Sequence, residues 1–150
     1  MNFNVCYKNN MQKINVYKNK QHSMNGSVLL VDDDEAILGL LSEYLALEDF
    51  EVVGCGTNGL EGVNLYAQYK PNFVIMDIGM PNYDGVYGLE HIKKINPDSI
   101  VIILTGNNDK LITQKIIQLK ATKILEKPYP VEKLVSILKS FNNPLEIHAV

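Results

Sequence analysis

The sequence predicts an α/β domain, doubly wound around a parallel sheet of five strands. Strand-like and helix-like stretches alternate five times between residues 28 and 142, the order that builds a parallel sheet with crossover helices. The strand-like stretches are short continuous apolar runs, the mark of strands buried on both faces. Four of the five strand ends also carry polar groups, and in such sheets ligands gather at the carboxyl ends of the strands.

Each element has its own signal. Val28 to Val31 is a four-residue apolar run, read as the first strand. From Glu35 to Leu47 the apolar residues Ile37, Leu40, Leu41, Tyr44 and Leu45 recur at helical spacing. Phe50 to Val53 reads as the second strand, and Gly54 to Gly59 as a turn. Leu60, Val63, Leu65 and Ala67 mark the next helix, which must stop before Pro71. Phe73 to Met76 is a third buried strand ending at Asp77. A Gly/Pro/Asn loop then leads to a helix from Gly85 to Ile95, ended by Asn96-Pro97. Ile100 to Leu104 is the fourth strand, Asp109 to Leu119 the fourth helix, Lys123 to Leu125 a short fifth strand and Val131 to Phe141 the last helix.

Composition bounds the class. The chain has 150 residues, 46% of them hydrophobic and 21% charged, enough to bury one core without disulfides or metals as staples. It is not a disordered chain, a collagen repeat or a coiled coil. No apolar run reaches the ~18 residues that a membrane span requires, and the start lacks a signal peptide's apolar stretch. Cys6 and Cys55 are too few for a disulfide framework and lack zinc-ligand spacing. The expected address is the cytoplasm, with no membrane partner.

The net charge of −3 hides an asymmetry. Residues 1–27 carry Lys8, Lys13, Lys18 and Lys20 and no acid, whereas the rest holds ten lysines against 17 acids. This Asn/Lys-rich segment reads as a mobile extension of unknown role, with a weak hairpin as the alternative. There is no arginine, which excludes bidentate guanidinium recognition of phosphate or guanine. With the acidic balance, this argues against direct DNA binding.

The strand ends hold the chemistry. Asp32-Asp33-Asp34-Glu35 follows the first strand, Asp77 ends the third, Thr105 the fourth, and Glu126-Lys127-Pro128 the fifth. Acids at a helix start serve as caps and complement the helix dipole. Capping needs one or two of them and does not need Asp77. Two unit charges ~4 Å apart repel by about 4 kcal/mol at an effective dielectric near 20, so carboxylates converging from two strands call for a cation. Oxygen ligands in this number suit Mg²⁺, with Mn²⁺ also accommodated. Lys127 reads as a surface lysine or as a partner for Asp77 or a phosphate oxygen, and Pro128 after it is able to form a cis bond. Together an aspartate nucleophile, a cation, a hydroxyl and an ammonium are the parts for moving a phosphoryl group onto a carboxylate.

These residues give the sequence its resemblance to the receiver domain of two-component response regulators. The matching stretches are Val31-Asp32-Asp33, Ile75 to Gly85, Leu104-Thr105-Gly106 and Glu126-Lys127-Pro128-Tyr129. The resemblance implies a flavodoxin-like (βα)5 fold with strand order 2-1-3-4-5, a receiver over 28–142, an extension over 1–27 and a tail over 143–150. It implies that Asp77 is the phospho-acceptor and that Asp32, Asp33, Asp77 and the Gly79 carbonyl hold Mg²⁺. Thr105 would be the switch hydroxyl and Lys127 the ionic partner of acceptor and phosphate. Asp34 reads as a cap. The donor would be a sensor histidine kinase or a phosphotransfer protein, and the chain would act as a regulator rather than an enzyme on other substrates.

The sequence departs from the family pattern in places. The aromatic expected three residues before the lysine is Ile124, and Gly106 stands where alanine is usual. Gly79 and Asn107 occupy positions that tune dephosphorylation in the family. Too little chain follows the last helix for an output domain, so a stand-alone receiver is expected. Its signal would leave through the face of the fourth helix, fifth strand and fifth helix, toward a protein target or a second copy, with Ile112, Ile116 and Val131 as apolar contacts.

Three other readings remain open at this stage. One is a receiver-like docking module that is never phosphorylated. Gly54-Cys55-Gly56-Thr57-Asn58-Gly59 spells G-x-G-x-x-G with Asp77 about 20 residues on, a dinucleotide fingerprint in form. It follows a complete strand–helix pair, however, and leaves Thr105 and Lys127 unexplained. Asp32 and Asp34 have the two-residue spacing of an Asp-nucleophile phosphatase, whereas Asp77 does not. His22, His91 and His148 show no catalytic or metal spacing, and His91 reads as a solvated surface residue.

Overall fold

The computed structural model describes residues 23–106 and 108–143. It contains β1 (Gly26–Val31), α1 (Glu35–Leu47), β2 (Phe50–Gly56), α2 (Gly59–Tyr69), β3 (Phe73–Asp77), α3 (Gly85–Ile95), β4 (Ile100–Thr105), α4 (Lys110–Gln118), β5 (Lys123–Glu126) and α5 (Val131–Ser140). The five strands form one parallel sheet in the order β2-β1-β3-β4-β5. The reading of residues 1–22, of Asn107 and of 144–150 lies outside the described residues.

The central strands carry side chains alternately to two cores. Val28, Leu30, Phe73, Ile75, Ile102 and Leu104 pack with Leu38, Leu41 and Leu45 of α1 and Leu134, Val135 and Leu138 of α5. Leu29, Val31, Val74, Met76, Val101 and Ile103 pack on the other face with Leu65, Leu89, Ile92 and Ile116 from α2, α3 and α4. Burial on both faces is why β1, β3 and β4 read as unbroken apolar runs.

The edge strands correct that pattern. β2 alternates between buried and exposed positions and runs three residues past Val53, so Gly54, Cys55 and Gly56 belong to the strand and not to a turn. Its register against β1 slips between Val28 and Leu29. At the other side of the sheet β5 has four residues, with Lys123 and Glu126 exposed. An edge strand has one neighbour and one solvated side, so continuous hydrophobicity is not required of it.

Helix starts follow from short polar side chains. Asp34, Asn58, Asp84 and Asp109 cap α1 to α4, each accepting from one or two backbone N–H groups of the first turn. Each such cap contributes about 1 kcal/mol. α5 begins at Pro130 without a side-chain cap. No helix among the described residues is long and apolar enough to cross a membrane.

Candidate functional site

The parallel register brings the predicted residues to one edge. Val31 pairs with Met76, Asp77 with Leu104 and Thr105 with Glu126. The next residues outward are therefore Asp32 beside Asp77, and Lys127 beyond Thr105. Asp32, Asp77 and Thr105 are buried, whereas Asp33 is exposed. One carboxylate oxygen from each of Asp32, Asp33 and Asp77 lies within 4.8 Å of the others.

Lys127 enters this acidic edge from β5. Its Nζ donates to Asp77 Oδ1 at 2.8 Å and lies 3.9 Å from Asp32 Oδ2. The Lys127 N–H donates to Thr105 O at 2.8 Å, and the Lys127–Pro128 bond is cis. Burial pushes the Lys127 ammonium down, but the bond to Asp77 and the charges of Asp77, Asp32 and Tyr129 outweigh it, so its pKa is raised. Burial is also the main reason that the Asp32 carboxyl is pushed up. The Asp34 N–H opposes that rise, Asp77 and Asp33 add to it, and Lys127 opposes it.

One lysine does not satisfy these carboxylates. Asp32 Oδ1 accepts from the Asp34 N–H at 2.8 Å, but buried Asp32 Oδ2 has no hydrogen-bond partner among the described residues. A buried carboxylate oxygen without a donor is costly. Three carboxylates on one open edge form a donor set of the kind that hard divalent cations prefer. The residues present fit a divalent cation.

The loop from Ile78 to Asp84 places the fourth candidate ligand. The Ile78 N–H donates to Leu104 O, and the Gly85 N–H to Ile78 O. Gly85 is required here by close approach: a Cβ on it would stand 2.2 Å from Asp77 O. Gly79 lies exposed between these anchors. A glycine following an N-cap aspartate was a usable signal for that approach, and sequence reading did not draw on it.

Other expectations sort clearly. Asp34 is spent as a cap, its Oδ1 accepting from the Ala36 and Ile37 N–H groups, so it does not complete a phosphatase pair with Asp32. The glycine-rich segment offers no pyrophosphate cradle. Asn58 Oδ1 takes the Glu61 N–H, Glu61 Oε2 takes the Thr57 N–H, and Tyr83 O takes the Gly59 N–H. His91 is half-buried rather than solvated, stacked 4.0 Å from Tyr87 with Nδ1 2.9 Å from Tyr87 O. Tyr129 is half-buried and packs on the α1/α5 core; burial raises its hydroxyl pKa, Lys127 lowers it, and Asp32 and Asp77 add to the rise.

The face of α4, β5 and α5 differs from expectation in its apolar contacts. Ile116 is 1% exposed, a core residue, while Ile112 and Val131 are half-buried against the two cores. The side chains that reach solvent are Leu111, 76% exposed, and Ile117, 60% exposed. Ile124 is half-buried, packed against the core of α2, α3 and α4.

Comparison with known proteins converges on one family. Residues 28–139 match the family model of the response regulator receiver domain. The chain is 31% identical over 115 residues to the chemotaxis protein CheY of Thermotoga maritima, covering 77% of this chain and 96% of that protein. It is 30% identical over 118 residues to the probable C4-dicarboxylate response regulator DctR of Priestia megaterium, covering 78% of this chain. That match takes in 52% of DctR, so the chain spans about half the length of this relative. A CheY-like response regulator receiver domain protein from Methanospirillum hungatei JF-1 has the same fold, with a TM-score of 0.76 at 27% identity. That likeness covers 83% of this chain and 98% of the other. Fold, acidic edge and relatives agree: the chain belongs to the response regulator receiver domain family, as a phospho-acceptor switch of two-component signalling.

Proposed function

We propose that Asp77 is the phospho-acceptor, and that Asp32, Asp33, Asp77 and the Gly79 carbonyl hold Mg²⁺ for the transfer. The observation that carries this reading is the acidic edge itself, three carboxylates within 4.8 Å with a buried Asp32 oxygen lacking any hydrogen-bond partner among the described residues. In the transfer, an Asp77 carboxylate oxygen forms the bond to phosphorus. The bond from phosphorus to the donor's imidazole nitrogen breaks, and the imidazole leaves with that electron pair. Asp32, Asp33, Asp77 and the Gly79 carbonyl would hold the Mg²⁺, which would supply charge neutralisation for the phosphoryl oxygens. Lys127 holds the acceptor in place and then pairs with the phosphoryl group, and the Thr105 hydroxyl donates to a phosphoryl oxygen.

The donor is a sensor histidine kinase or a phosphotransfer protein in the cytoplasm, where the ATP that charges such a donor is found. The receiver unit is residues 28–142, with 1–27 and 143–150 as flanking segments. The chain acts on no substrate beyond its own phosphorylation and dephosphorylation. Phosphorylation changes the face of α4, β5 and α5, which binds a protein target or a second copy. Leu111 and Ile117 supply apolar contact there. Because Ile124 replaces an aromatic, Thr105 acts on a half-buried aliphatic side chain rather than on a swinging ring.

The test is intact mass after incubation with a small phosphodonor and Mg²⁺. The parent gains one labile phosphoryl group, and Asp77→Asn gains none. No adduct in a parent shown to bind Mg²⁺ would overturn the reading in favour of an unphosphorylated docking module.

A further inference from the structure

The last glycine of Gly54-Cys55-Gly56-Thr57-Asn58-Gly59 touches none of the phosphate-site residues, yet no side chain fits in its place. A Cβ on Gly59 would stand 2.2 Å from Asp84 O, 3.0 Å from the Gly88 nitrogen and 3.2 Å from Tyr83 O. All three are backbone atoms, which do not rotate aside as a side chain does. The Gly59 N–H also donates to Tyr83 O at 2.7 Å.

Tyr83 and Asp84 close the loop that starts at Asp77. The loop's other backbone bonds are local or return to its start: Met80 N–H to Ile78 O, Tyr83 N–H to Pro81 O and Gly85 N–H to Ile78 O. Its near end is held on β4 through the Ile78 N–H and Leu104 O. Its far end is held on α2, through Gly59. Between these anchors Gly79 stands open, with nothing within 4 Å of where its Cβ would be. The buried Ile78 and Met80 side chains on either side of Gly79 fix it locally, and the two anchors fix the loop that carries it.

We infer that Gly59 is a positioning residue for the cation site: by seating the Tyr83 and Asp84 carbonyls, α2 sets where the Gly79 carbonyl stands relative to Asp32, Asp33 and Asp77. The inference rests on the cation reading given above. Groups behind a metal's direct ligands orient those ligands, and their loss typically weakens metal affinity roughly ten- to a hundredfold. The glycine-rich segment thus acts on phosphate chemistry from behind, through a loop, and not as a cradle.

The experiment is Mg²⁺ titration of the full chain by calorimetry, paired with ¹H–¹⁵N spectra. In the parent, the Gly79, Tyr83 and Gly59 amide signals move together as Mg²⁺ binds, and the Gly62 signal stays. Gly59→Ala weakens Mg²⁺ binding about tenfold, and phosphorylation by a small donor returns when Mg²⁺ is raised by the same factor. Gly62→Ala is the comparator. Its Cβ would meet Val31 and Met76 side chains at 3.0 and 3.2 Å, one helical turn from the loop. Any shift in its melting temperature comes from packing against those side chains, and its Mg²⁺ affinity equals that of the parent.

A parent that binds no Mg²⁺ overturns the cation reading itself. A parent that binds, with Gly59→Ala binding as tightly, overturns only the role of Gly59. Equal weakening in Gly62→Ala also overturns it, since general destabilisation would then suffice. Should Gly59→Ala fail to fold, the parent spectra decide: a Gly59 amide that stays while Gly79 moves overturns the inference.

Discussion

The Lys127 ammonium stands 2.8 Å from Asp77 Oδ1, joining residues fifty apart in sequence across β4. It is the cation that offsets the acidic edge in the metal-free protein, and Lys127→Ala leaves Asp32, Asp33 and Asp77 facing one another. The Lys127 pKa is raised in the folded state above its ordinary value of 10.5. Its contribution is therefore fully present below that value and is lost as pH rises through the folded pKa. Lys127→Ala melts below the parent at neutral pH, and the gap closes above pH ~10.5. Thermal melts across pH check this, and an unchanged gap at high pH would sink it.

Asp32 works in the opposite sense. Its folded pKa is raised above the unfolded value of 3.8, chiefly by burial, so stability falls as pH rises through the interval between the two. Metal-free Asp32→Asn melts higher than the parent at pH 7, and the difference vanishes below the unfolded pKa. Adding Mg²⁺ reverses the ranking, because the parent gains binding energy that the variant lacks. Melts with and without chelator measure both signs at once.

On the proposed reading, Thr105 separates accepting a phosphoryl group from reporting it. It is buried at the end of β4, and Thr105→Ala removes its hydroxyl at a stability cost on the order of 1 kcal/mol. The variant still gains one phosphoryl group by intact mass. Its α4 amide signals then stay where the unphosphorylated protein has them, while those of the parent move.

Leu111 and Ile117 are exposed apolar residues on one helix. Leu111→Glu and Ile117→Glu change stability within about 0.5 kcal/mol, as for surface substitutions generally. They abolish phosphorylation-dependent self-association or target binding, measured by sedimentation or by titration with the target once known. Full binding by the double variant would move the output surface elsewhere.

Most of the fold was legible because burial on both faces leaves an unmistakable trace in sequence. The continuous runs of β1, β3 and β4 followed directly from it, and the start of α1 from the capping acid Asp34. β2 was truncated in that reading because an edge strand alternates, and its glycines resembled a turn although Gly54 packs beneath Leu65. Asp32, Asp77, Thr105 and Lys127 were legible as strand-end residues, since parallel register alone brings them to one edge. The apolar contacts of α4 were not. Whether Ile116 or Ile117 faces the core depends on the angle at which the helix docks, which helical spacing alone does not set. Contact of Gly59 with Asp84 joins residues 25 positions apart through backbone atoms, which leave no pattern of side-chain types to read.

The brevity of β5 has a consequence for recognition. Its open side offers four residues of main chain, flanked by the charged Lys123 and Glu126. A guest strand laid there would form few ladder bonds, too few for the strand-addition mode in which backbone pairing supplies affinity. A partner gripping this flank must therefore read the side chains of α4 and α5. Copies of the chain meeting along it would be held by a contact that a few substitutions dissolve, and not by an endless shared sheet.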